Sequence, residues 1–205
     1  MTRMLLTIGF CLLMLNSFAQ QANYAKNIEK HREEYRSEFL HDPRSPLTAD
    51  DLKHLHFFTP DPSFRVLADF KLIEGEAPFR MPTYDGSAKE YVRYGTASFT
   101  LNGKLLTLTI YRSIQLMSNE QYKDYLFLPF TDLTNGQQTY GGGRYIDLRT
   151  SSVRESMVEI DFNKAYNPYC AYSSGYSCPV PPEENDLPVA VTAGEQNYTG
   201  PKKKR

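Results

Sequence analysis

The chain has no tryptophan, three cysteines and only four histidines in 205 residues. All four histidines (His31, His41, His54 and His56) fall in its first third. There is no Gly-x-Ser-x-Gly nucleophile elbow, no Gly-x-x-x-x-Gly-Lys phosphate loop and no His-Glu-x-x-His zinc helix. These absences remove the commonest hydrolase, nucleotide-binding and zinc-protease signatures. No apolar run approaches the roughly 20 residues needed to cross a bilayer as a helix. Nor is there an excess of one charge: 23 basic side chains stand against 24 acidic ones. A balanced surface gives no electrostatic case for nucleic acid or an anionic membrane.

What is present begins with an address. Arg3 precedes an apolar run from Met4 to Leu15, and Ser17-Phe18-Ala19 places small residues at the −3 and −1 positions of a cleavage site after Ala19. That is the pattern of a secretory signal peptide, so the mature protein is expected to be secreted or periplasmic. Cleavage would remove Arg3 and Cys11, leaving 22 basic against 24 acidic side chains, a formal charge of −2. Cys170 and Cys178 then remain as an even pair in an oxidising compartment and are expected to form a disulfide. The terminal Lys202-Lys203-Lys204-Arg205 run reads as a solvated tail.

Along the chain, Tyr24, Ile28, His31, Tyr35 and Phe39 recur at helical spacing, and charged residues fill the other face. His41-Asp42-Pro43 should end this helix. Thr48 and Asp51 read as a capping box opening a second, short helix to about His56. After Pro60 the period becomes two. Phe64, Val66, Ala68, Phe70 and Leu72 alternate with polar residues, and Asn102-Gly103 supplies a type I′ turn between strands over 90–101 and 104–111. Further strands are expected over 125–130, 157–162 and 187–192, and the glycines at 141–143 mark a bulge or a close backbone approach. About seven strands behind two helices predict a mainly β fold, an antiparallel barrel or a two-sheet sandwich. The expected division is a signal peptide over 1–19, a helical segment over 20–60, a β-rich domain over 61–198 and a basic tail over 199–205.

The constellation with most chemical content is Asp132, Arg144, Asp147 and Asp161, with Tyr140, Asn163 and Tyr166. Three carboxylates at strand ends can converge on one rim, where with a guanidinium they could bind a polar ligand or exchange protons. The bland alternative is that Arg144 clamps Asp132 or Asp161 to hold loops together. Asp132, Tyr140, Arg144, Asp161, Asn163 and Tyr166 are the candidate ligand-binding residues. His54 and His56 would share a face only on a strand, and at a helix end they read as ordinary histidines rather than metal ligands. With a disulfide partner eight residues on, Cys170 does not read as a catalytic thiolate.

Two stretches carry a family resemblance. One runs Phe130-Thr131-Asp132-Leu133-Thr134-Asn135-Gly136 and Thr139-Tyr140-Gly141-Gly142-Gly143-Arg144-Tyr145. The other runs Asp161-Phe162-Asn163-Lys164-Ala165-Tyr166-Asn167-Pro168-Tyr169-Cys170-Ala171-Tyr172, then from Cys178 through Asn185 to Glu195. Together they resemble the family labelled domain of unknown function 1684, with a weaker likeness back to Phe64. The family has no established activity, so the resemblance implies no catalytic residues. The stretches are rich in Gly, Pro and Asn, which set backbone conformation, and they suggest a pinned loop wrapping one end of the β domain. The expectation is a small-ligand-binding or accessory envelope protein without a cofactor. The alternatives are a metal-independent hydrolase using Asp132 and Asp161, and a purely structural envelope protein.

Overall fold

The computed structural model describes the backbone of residues 2–204 and the side chains of residues 21–204. The signal sequence expected over 1–19 depends on side chains outside the described residues. Helix α1 spans Thr2–His41. The expected stripe is the face it packs inward: Tyr24, Ile28 and Phe39 are buried, His31 and Tyr35 half-buried. One helix of this length precedes the β domain, not two. The Thr48–Asp51 box does form, with the Thr48 backbone N–H and hydroxyl both donating to the Asp51 carboxylate at 2.7 and 2.6 Å. It opens only a six-residue 3-10 helix, Ala49–His54, because Leu55 already turns extended.

Nine strands follow. They are β1 (Arg65–Leu72), β2 (Phe79–Pro82), β3 (Ala88–Leu101), β4 (Lys104–Ser113), β5 (Tyr125–Asp132), β6 (Arg144–Arg149), β7 (Val153–Arg154), β8 (Met157–Asp161) and β9 (Asp186–Leu187). They form a single sheet in the order β6-β5-β4-β3-β1-β8-β7, with β2 beside β3 and β9 beside β5. All pairings are antiparallel except the two-residue β9, which runs parallel to the end of β5. The expected Asn102-Gly103 turn is present, with φ of 51° and 74°.

The inward positions of β1, β3, β4, β5, β6 and β8 share one core, from Val66 and Ala68 through Phe99, Leu108, Leu128 and Ile146 to Ile160. Strands near both ends of the sheet thus meet the same cluster, so the sheet curls round it. It does not close into a barrel, and among the described residues there is no second sheet to make a sandwich. The outer edge of β6 is taken by Tyr166, which exchanges two backbone hydrogen bonds with Tyr145 at 2.9 and 3.0 Å. The short β7 takes the outer edge of β8. Neither edge is left to the other, and a gap of about 580 Å³ lies between β6 and β8.

The expected strand over 187–192 is also cut short. Pro188 has no N–H for a ladder, and the segment instead buries Val189, Val191 and Ala193 in the core. Gly143, with φ +82°, makes the close approach its glycine run suggests: a Cβ there would lie 2.6 Å from the Phe130 carbonyl oxygen. The basic tail is fastened at Lys203, which pairs with Asp51.

Candidate functional site

The outward positions of β5 and β6 carry an unusual load. Alternation sends Leu126, Leu128 and Phe130 into the core, and so turns Tyr125 and Phe127 outward. On β6 it turns Tyr145 and Asp147 outward. Phe127 and Tyr145 join Met81, Tyr91 and Tyr111 in a second apolar cluster on the outer face of the sheet, and Tyr125 packs against it. Tyr91 stacks on Phe127 with ring centres 5.6 Å apart, and Tyr145 meets the edge of Phe127 at 4.7 Å.

The segment from Tyr166 to Pro179 crosses this aromatic face without filling the space above it. It leaves a cleft of about 500 Å³ whose lining includes Lys89, Tyr91, Tyr125, Phe127, Tyr145 and Tyr166. The covering segment is pinned. The Tyr145 hydroxyl donates to the Pro179 carbonyl, and Cys170 and Cys178 are disulfide-bonded, as expected, with Cα atoms 6.3 Å apart. Tyr169 donates to Asp42 at 3.1 Å and Tyr176 to the Arg44 carbonyl at 2.6 Å, so the wall is also tied to the end of α1.

Tyr125 and Tyr166, which both line this cleft, donate their hydroxyls to Oδ1 of Asp147, at 2.7 and 2.6 Å. A second cleft of about 440 Å³, between α1 and β6, holds Asp147, and Tyr166 and Tyr169 line both clefts. Solvent reaches Asp147, but protein rings it at depth. That burial pushes its carboxyl up, against the pull of the two hydroxyls. Glu38, on the facing side of α1, is raised too, first by burial and then by the field of Asp147.

The six residues singled out from the sequence do not converge on one rim. Asp132 and Arg144 form a buried ion pair at 2.8 Å, with neither side chain reached by solvent. Arg144 also donates to the carbonyls of Val191, Ala193 and Glu195. The other Asp132 oxygen accepts from the Thr134 N–H and hydroxyl and from the Val191 N–H. This is the clamp alternative realised on Asp132. Asp161 belongs to a separate network, accepting from Tyr24 at 2.9 Å and from Asn163. Asn163 also exchanges hydrogen bonds with the Asp61 backbone. Tyr140 is half-buried beside Tyr84. Of the six, Tyr166 lines the aromatic cleft.

His54 and His56 both face the Thr199 hydroxyl. Among the described residues, no group of three His, Cys, Asp or Glu is placed to hold a metal, and no helix is long and apolar enough to cross a membrane.

One buried acid escaped the sequence reading. Glu195 is fully buried and accepts from Tyr172 at 2.7 Å, Tyr35 at 3.0 Å and the Asn167 N–H at 2.9 Å. Burial raises its pKa to about 7, although these donors oppose the rise. Its one sequence signal was a glutamate closing a stretch otherwise rich in turn formers. Its partner Tyr35 lies on α1, far away in the chain.

Fold and cleft together define a β domain built on one open, curled sheet, with an aromatic cleft of small-molecule size on its outer face. The chain belongs to the family described as Protein of unknown function (DUF1684), whose model matches residues 50–196. It is similar to an uncharacterized protein of Haloarcula marismortui solved in solution by NMR. The two are 35% identical, with a TM-score of 0.64 over 86% of this chain and 97% of that one. No curated protein matches it.

Proposed function

We propose that this domain is a small-ligand-binding module whose site is the aromatic cleft between the outer face of β5 and β6 and the segment from Tyr166 to Pro179. The observation that carries this reading is the platform of Tyr91, Phe127 and Tyr145 bridged, but not filled, by a disulfide-pinned segment. Its volume of about 500 Å³ lies within the roughly 300–1,000 Å³ of small-molecule sites, which are mostly apolar with a few placed polar groups. The hydrolase alternative finds no support here, since Asp132 and Asp161 share no partner and Asp132 has both oxygens engaged. The expected site of action is outside the cytoplasm, on the strength of the Met1–Ala19 pattern and the cysteine pair.

The test is mass spectrometry of the protein recovered from its own host's envelope, under native and then denaturing conditions. A chain beginning at Gln20, carrying excess mass that leaves on denaturation, supports both parts. Leu116→Trp, placed to fill the cleft from its lining, should abolish that excess mass while leaving the melting temperature within a few degrees. Excess mass that survives the substitution, or a bare chain in both spectra, removes the binding reading. A chain still beginning at Met1 removes the export reading.

A further inference from the structure

We infer that the ligand of this cleft is a ring-bearing monocarboxylate with a hydrogen-bond donor at its far end, its carboxylate paired with Lys89 and its ring lying on Tyr91, Phe127 and Tyr145. The inference rests on the binding reading above and adds the chemistry of the ligand.

Lys89 stands near the start of β3, opposite Met81 of β2, and its half-buried side chain lines the cleft. Three other charged groups bear on this end, and each is already engaged. Arg44 donates to Asp42 through Nε and Nη2 at 3.2 and 3.3 Å. The Asp85 carboxylate is taken up by Ser177, Thr83 and Ser87, and it reaches Lys89 only through its field. The Lys89 ammonium has no hydrogen-bond or ion-pair partner among the described residues. Burial, with Arg44 nearby, pulls its pKa down. An ammonium partly stripped of water with no counter-charge in contact is a site for one anion, since a charge left unpaired bears its desolvation cost with no Coulombic return. One such ammonium matches one carboxylate.

The other end sets the complement. The hydroxyl protons of Tyr125 and Tyr166 are both committed to Asp147. Each hydroxyl therefore has only lone pairs left to offer a ligand. A ligand group meeting them must donate, as a ring hydroxyl does. Between the two ends lie aromatic faces, against which a flat ring stacks with a gain beyond its buried area.

The probes are 4-hydroxybenzoate and its neutral isostere 4-hydroxybenzamide. Each is titrated calorimetrically into the full chain, with backbone amide NMR shifts of Leu116 and Gly175 reporting that binding occurs in the cleft. The expected result is acid binding at least tenfold tighter than amide in the parent. In Lys89→Met the acid should fall to the affinity of the amide, the amide itself staying within twofold of its parental value. Thermal melting of Lys89→Met checks that the fold is kept, and Lys89→Arg should retain the preference for the acid.

Equal binding of acid and amide, or a preference that survives Lys89→Met, overturns the carboxylate assignment while leaving the cleft a binding site. Failure of both probes to bind overturns it as well. The wider binding reading falls only if the envelope-derived protein also carries no cleft-dependent mass.

Discussion

Arg144 donates to Asp132 across 2.8 Å in a place no solvent reaches, and the same guanidinium gathers three carbonyls of the segment that follows β9. One side chain therefore does for residues 191–195 what a strand ladder does elsewhere. Arg144→Ala should leave a buried carboxylate and several carbonyls unmet, at about 3–5 kcal/mol. In a chain of this size that lowers the melting temperature by on the order of 10 °C. Replacing both partners, Asp132→Leu with Arg144→Met, should recover part of the loss. A single variant melting within a degree of the parent would show the pair to be dispensable and reopen both residues as site candidates.

The pH dependence of stability should carry the signature of Glu195. Its pKa in the folded state, about 7, is raised above the ordinary carboxyl value, so the folded chain holds a proton that the unfolded chain releases. Its contribution is full below about pH 4.5 and is lost as pH rises toward 7 and above. Denaturant titrations at steps from pH 5 to 8 should show a decline on the order of a few kcal/mol at most. Glu195→Gln, whose oxygen can face the Asn167 N–H and whose amide can face Tyr172, should flatten that decline. An unchanged slope in the variant would assign it to other groups.

Removing the disulfide by Cys170→Ser with Cys178→Ser should cost about 2–3 kcal/mol by loop entropy. It should also broaden the amide signals of Gly175 and Ser177 in the cleft wall. A double variant as stable as the parent, with those signals sharp, would show that the wall is held by its tyrosine contacts alone.

The turn between β7 and β8 places Glu155 and Ser156 at φ of 51° and 61°, a left-handed conformation that costs non-glycine residues about 1–2 kcal/mol each. Glu155→Asn with Ser156→Gly should supply the residues a type I′ turn favours and raise stability by about 1 kcal/mol. Chemical denaturation measures this directly. A loss of stability would mean that the Glu155 or Ser156 side chain matters more than the backbone.

That turn also shows where the sequence stops being legible. Asn102-Gly103 announces its conformation because both residues tolerate positive φ, whereas Glu155-Ser156 gives no such sign. The helical stripe from Tyr24 to Phe39 was readable because its period is local. The open sheet was not, since it depends on Tyr166 occupying the edge at Tyr145. Arg144 stood in view as a clamp or a ligand contact, but choosing between them required its burial. Asp147 was visible as one more acid at a strand end. Its distinction comes from Tyr125 and Tyr166, two hydroxyls converging from different elements. The aromatic platform stayed hidden because Leu126 to Phe130 reads as one continuous apolar run. Such a run shows that both faces are covered, without saying by what.

Tyr169 and Tyr176 are at once the wall of the cleft and the fastenings of Asp42 and Arg44 at the foot of α1. A residue with two tasks is slow to change, because an exchange that improves one loosens the other. On the proposed binding reading, divergence in the ligand therefore falls to lining positions without that second duty. Lys89 and Leu116 are such positions: each lines the cleft without fastening its wall to α1.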